Sequence, residues 1–190
     1  YRKKKGFATL IKACGLLRDE GNSFRCAIVG YGEEQHLLEQ QIHQEGLANQ
    51  VTLLGKLNHA AVLALYRRAA IFALPCRVDD DGDRDGIPNV LLEAMAVQLP
   101  IVSTSVSAIP ELIRHQYNGL LVAPEDPSGL SAAIKQLLDD TPLRQQLGMA
   151  ARKYVCQHFN VDTNVATLAE LLCAAMNQEQ VGNLYEQEAT

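Results

Sequence analysis

Short, unbroken apolar runs alternate along this chain with amphipathic stretches, and that alternation limits the fold more than any other feature. Phe24–Val29, Val51–Leu54, Ala70–Leu74, Pro100–Ser103 and Asn118–Val122 read as strands. They lack the in-out alternation of a strand with one wet face, so they suit a parallel sheet covered on both sides. Between them the apolar period is helical. Phe7, Leu10, Ile11, Cys14 and Leu17 form one face of a helix over Phe7–Glu20, closed by Gly21-Asn22. Further helices are predicted over 33–44, 59–69, a segment ending near Gln98, 110–114, a segment after Pro127, 143–158 and 163–176. The expected fold class is α/β, a doubly wound parallel sheet with helices on both faces. In such sheets ligands bind beyond the carboxyl ends of the strands. The loops at Gly30, Gly55, Pro75–Asp85 and Ser103–Ser107 should therefore gather on one edge.

A chain of 190 residues with 47% hydrophobic content can fill the core of one such domain. A net charge of −5 disfavours a nucleic-acid partner. No apolar run reaches the ~18 residues of a membrane helix, and no secretory or transit pattern opens the chain. The five cysteines are scattered, with no C-x-x-C pair, and read as reduced thiols of a cytoplasmic protein. Tyr1–Gly6 runs straight into a helix with no strand before it, so the expectation is a piece of a longer protein.

The segment Asp85-Gly-Ile-Pro-Asn-Val-Leu-Leu-Glu93-Ala-Met-Ala96 is the richest in chemistry. Ile87, Val90, Leu91, Ala94 and Met95 form one apolar helical stripe. Glu93 lies off it, so packing does not explain the acid. Asn89 precedes Glu93 by one turn on the same side, and Pro88 suits a helix start. If 85–93 were helical throughout, the two carboxylates would stand ~12 Å apart at ~1.5 Å per residue. A diphosphate at the helix N-terminus would then have one acid near each end, as a nucleotide-sugar requires.

The ordered landmarks Lys5-Gly6, Gly30-Tyr-Gly32, Val51–Gly55, Leu74-Pro75, Asp85-Gly86, Leu92–Ala96, Pro100-Ile-Val, Ile109-Pro-Glu111 and Asn118–Val122 resemble those of the family 4, or group 1, glycosyltransferases. The likeness runs from about Lys5 to Phe159. It implies the carboxyl-terminal, donor-binding, Rossmann-like half of a GT-B fold. It implies a retaining enzyme that takes a UDP- or GDP-sugar, without a metal or other cofactor, in polysaccharide or glycolipid synthesis. The family's E-x7-E motif falls on Asp85 and Glu93. Glu93 is thereby implied to bind the ribose hydroxyls, and Asp85, an aspartate where glutamate is commoner, to orient the donor sugar. Lys5 matches the lysine that contacts the diphosphate. Gly30, Gly32, Gly55, Lys56, Gly86, Ile87, Asn89 and Val90 are implied to line the donor. Pro88 stands where glycine is common and removes one amide from the phosphate loop. The implied organisation is a donor domain over 1–160, a terminal helix over 161–177 directed toward an amino-terminal acceptor domain, and a polar tail over 178–190. The isolated piece is expected to bind nucleotide with little turnover. Peripheral membrane association is an expectation for the parent.

Other chemistries fit less well. Asp81, Asp83, Asp85 and Gly86 match the first positions of a calcium loop, but Leu92 then occupies the closing acid's place. A D-x-D cation site would be redundant beside Lys5 and a helix N-terminus. The five histidines form no ligand set. A dinucleotide oxidoreductase would need a third glycine where Gln35 stands. A nucleotide-sugar-binding module without catalysis stays open as the alternative.

Overall fold

The computed structural model describes residues 1–166, 168–171 and 173. Two compact units are resolved, Tyr1–Lys153 and Tyr154 onward.

In the first unit, strands and helices alternate as the apolar runs predict. Strand β1 (Cys26–Val29) pairs in parallel with β2 (Val51–Gly55), with a slip in register between Ile28 and Val29. Strand β3 (Phe72–Leu74) pairs in parallel with β4 (Ile101–Thr104), which pairs in parallel with β5 (Leu120–Val122). The hydrogen bonds thus group the strands as β1-β2 and β3-β4-β5. Every residue of β4 is buried, as expected of a strand covered on both faces. Its two polar members, Ser103 and Thr104, donate hydrogen bonds to the carbonyls of Leu74 and Cys76. Those bonds satisfy buried hydroxyls and pin the chain leaving β3, from which the acidic loop departs.

The helices are α1 (Phe7–Asp19), α2 (Gln35–Gln44), α3 (His59–Arg68), α4 (Asn89–Ala96), α5 (Ile109–Leu112), α6 (Pro127–Asp139) and α7 (Thr141–His158). Local chemistry sets their ends. Asn58 accepts from the Ala61 amide at the start of α3, and Asp126 from the Gly129 amide at the start of α6. Helix α1 buries Leu10, Ile11, Cys14 and Leu17 and packs against α6 and α2. Ile28, Leu38, Val51, Val102, Leu120, Leu130 and Leu137 complete the same core.

The start of α4 falls at Pro88, as the proline suggests, so the span 85–93 is helical only in part. Asp85–Pro88 is not helical, and Pro88 is the N-cap with ψ 125°. The reason is local. A residue before proline is pushed out of the helical region, and here that residue is the β-branched Ile87. Only Asn89–Glu93 of the span between the two acids is helical, so the 12 Å estimate does not apply. Leu91, Ala94 and Met95 are buried as the stripe predicts, whereas Ile87 lies ahead of the helix.

The second unit begins in the last turn of α7, where the Tyr154 and His158 rings lie 4.4 Å apart. Asn160 then accepts from the Asp162 amide. Residues 161–166 and 168–171 are helical, with Val161, Val165, Leu168 and Leu171 exposed. Leu172, Ala175 and Met176 of the predicted terminal helix, and the 178–190 tail, lie outside the described residues.

Candidate functional site

Two segments distant in sequence meet beside β3. Lys3–Lys5 form a single 3₁₀ turn closed by Gly6, whose φ is 69°. The Arg77 amide donates to the Lys4 carbonyl at 2.9 Å, joining this turn to the chain leaving β3. A Cβ on Gly6 would sit 1.8 Å from the Pro75 carbonyl oxygen, so two demands coincide on that glycine: left-handed backbone and close approach.

The turn presents its lysines to the acidic loop. Lys5 Nζ lies 2.8 Å from Asp85 Oδ2, and Lys4 Nζ 3.7 Å from Asp85 Oδ1 and 3.0 Å from Asp83. Asp85 Oδ2 is buried, and although Lys5 is at ion-pair distance no donor is aligned on it as a hydrogen bond. Lys3 lies 3.7 Å from Asp80, and Arg77 holds Asp80 at 3.0 Å and Glu125 at 2.6 Å. The hydrogen bond from Lys4 holds the Asp83 carboxyl below the usual aspartate range and raises the Lys4 ammonium in turn. The loop also binds itself, with the Asp83 amide on the Asp81 carboxylate and the Gly82 amide on the Asp79 carbonyl. The carboxylates of the calcium-loop reading are thus each turned toward a protein partner.

Beyond Asp85, Gly86 is exposed, and a Cβ there would meet open space. Protein contacts therefore do not demand glycine at 86. Asn89 and Val90 occupy the first turn of α4, ahead of the first intrahelical bond, so their amides point out of the helix N-terminus. Glu93 is half-buried one turn later. Its Oε2 lies 3.4 Å from the Tyr66 hydroxyl of α3.

The remaining predicted residues form a separate neighbourhood. Gly30 donates to the Gly55 carbonyl at 2.9 Å, and Lys56 Nζ stands 5.3 Å from the centre of the Tyr31 ring. Gly32 has φ 149° and is approached by the Tyr1 backbone, whose ammonium donates to the Tyr31 carbonyl. Residues 1–6 thereby touch both neighbourhoods. A cavity of about 410 Å³ opens beside the turn, lined by Lys3, Gly6, Thr9, Glu34, Arg77 and Glu125 among others. Neither Asp85 nor Glu93 lines it. Desolvation raises the Glu34 carboxyl there.

The structure thus joins Lys5 to Asp85 and leaves Glu93 with Tyr66. Lys4, Tyr66 and Arg77 escaped the sequence reading. The facing runs of three lysines and of aspartates were the available signal for Lys4.

Residues 1–154 match the family described as Glycosyl transferases group 1. The chain belongs to that family. Among curated relatives of this glycosyltransferase chain, the amylovoran biosynthesis glycosyltransferase AmsK of Erwinia amylovora is 37% identical over 170 residues. That match covers 90% of this chain and 42% of AmsK. The group 1 chain therefore spans less than half the length of such relatives. Among solved structures, Anabaena HepE in complex with UDP is similar at a TM-score of 0.80 and 26% identity, over 91% of this chain and 46% of HepE. The C-terminal domain of a group 1 family protein, LpcC from Francisella tularensis, matches in fold at a TM-score of 0.74 and 23% identity. It is covered over 83% of its length, and 85% of this chain takes part. Membership of a transferase family displaces the oxidoreductase alternative. Among the described residues, no helix is long and apolar enough to cross a membrane.

Proposed function

We propose that this chain holds the nucleotide-sugar donor of a retaining family 4 glycosyltransferase, as the carboxyl-terminal half of a GT-B enzyme. The observation that carries the reading is the Lys5–Asp85 pair, 2.8 Å apart at the end of β3 and just ahead of the α4 N-terminus. A diphosphate placed there meets an ammonium and the amides of Asn89 and Val90. Asp85 then faces the donor sugar and Glu93 the ribose. The similarity to HepE, solved with UDP, supports a nucleoside diphosphate.

The chemistry follows from charge. The bond between the anomeric carbon and the diphosphate oxygen breaks, an acceptor oxygen takes the carbon, and the acceptor's proton leaves with the diphosphate. Negative charge grows on the departing oxygen. Lys5, once drawn from Asp85 onto the bound diphosphate, and the helix amides stabilise that charge as it forms. The acceptor is held by the other half of the parent, so this chain alone binds nucleotide and turns over little.

Calorimetric titration with UDP and with GDP tests the reading. One of them is expected to bind, and Glu93→Ala is expected to weaken it by about 1–3 kcal/mol, the usual result of leaving hydroxyls without their partner. Affinity unchanged by the substitution would remove Glu93 from the site. The same titration in EDTA should give the same affinity, because an ammonium and a helix N-terminus occupy the place a cation would take. A strict requirement for Mg²⁺ or Mn²⁺ would instead give the aspartates at 81–85 a metal role.

A further inference from the structure

The segment leading into α4 offers a ligand the Asp85 and Glu93 carboxylates and the Asn89 and Val90 amides, and Glu93 has a side-chain partner from another helix. That partner is Tyr66, in the last turn and a half of α3. The residue is 8% exposed, and its ring meets Phe72 of β3 edge-on, with centroids 5.6 Å apart and planes at 85°. The hydroxyl position is therefore fixed by two elements of the core. It lies 3.4 Å from Glu93 Oε2.

We propose that Tyr66 is a positioning residue, which sets the Glu93 carboxylate in the orientation that receives a ribose diol. The proposal rests on the reading of Glu93 given above. A glutamate on a helix has three side-chain torsions to settle before it can accept two hydroxyls at once. The phenol donates its one proton to Oε2 and restricts those torsions, and Oε1 is left to accept from the ligand. Burial, and then the neighbouring Glu93 charge, push the Tyr66 hydroxyl up to about 12, so it remains a donor across the working pH range. The hydroxyl also fills a need of its own, since a buried phenol requires an acceptor. A purely structural role would make that need the whole explanation, and the two accounts separate in their response to the ligand's hydroxyls.

Tyr66→Phe keeps the ring against Phe72 and removes only the donor. UDP and 2′,3′-dideoxy-UDP are titrated against the parent chain, Tyr66→Phe and Glu93→Ala, with the GDP pair run in parallel. The parent should prefer the ribonucleotide, because a site built to bond hydroxyls rejects the analogue lacking them. Glu93→Ala should abolish that preference. Tyr66→Phe should lose about three- to tenfold in affinity for the ribonucleotide, the range expected of a hydrogen bond that acts through a neighbour rather than on the ligand itself. Its affinity for the dideoxy analogue should stay at the parent's value. Equal loss for both ligands, or no loss for either, overturns the proposal while Glu93 keeps its place. Preference for the ribonucleotide that survives Glu93→Ala, or no binding of either nucleotide, overturns the reading of Glu93 and the proposal with it.

Discussion

Gly6→Val should destabilise the chain by about 2–5 kcal/mol, adding the strain of a β-branched residue at positive φ to that of overpacking. The cause is specific. A Cβ at position 6 lies 1.8 Å from a carbonyl oxygen of Pro75, and backbone cannot step aside as a side-chain tip could. Against a total stability of about 5–15 kcal/mol for a typical domain, such a loss is large. Urea denaturation of the two proteins would measure it. A midpoint shared by both would show that the turn and the β3 exit part at no cost. Whatever fraction of the variant folds should also bind nucleotide poorly, because the lysine next to the displaced glycine moves with it.

Lys5→Ala should raise the dissociation constant for the nucleoside diphosphate by about 10- to 100-fold, from the ~1.5–3 kcal/mol of a hydrogen bond to a charged group. The effect belongs to the ligand's phosphates, so the free nucleoside should bind the variant and the parent alike. Its thermal midpoint guards against a trivial cause, since Asp85 loses its nearer ammonium and keeps Lys4 at 3.7 Å. Equal diphosphate affinity in a folded variant would move the phosphate away from Lys5.

Element types were legible because each rests on a local pattern. The strand-forming run at Pro100–Ser103 announced β4, and the apolar face Leu10, Ile11, Cys14 and Leu17 announced α1. The start of α4 was also legible in principle. Proline at 88 marks it, and the apolar stripe runs one residue further, to Ile87 ahead of the helix. The partners were not legible. Nothing in the order of residues tells that Lys4 faces Asp83 or that Tyr66 reaches Glu93, since folding alone brings them together. For the same reason the sequence did not show that the Tyr1 backbone approaches Gly32.

The charges at the end of β3 have a kinetic consequence. Lys3, Lys4, Lys5 and Arg77 are matched there by Asp80, Asp83, Asp85 and Glu125. Seen from beyond a Debye length of ~8 Å at physiological salt, such a set has little net charge. It offers an approaching nucleotide almost no long-range attraction, so capture is left to diffusion and the encounter rate gains little from steering. If the proposed site is right, attraction would appear only at contact, with phosphate oxygens replacing carboxylates as partners of the same ammonium groups. On the proposed reading, affinity would be an exchange of anions rather than the filling of an open positive well, and ionic strength would weaken the bond being broken along with the bond being made.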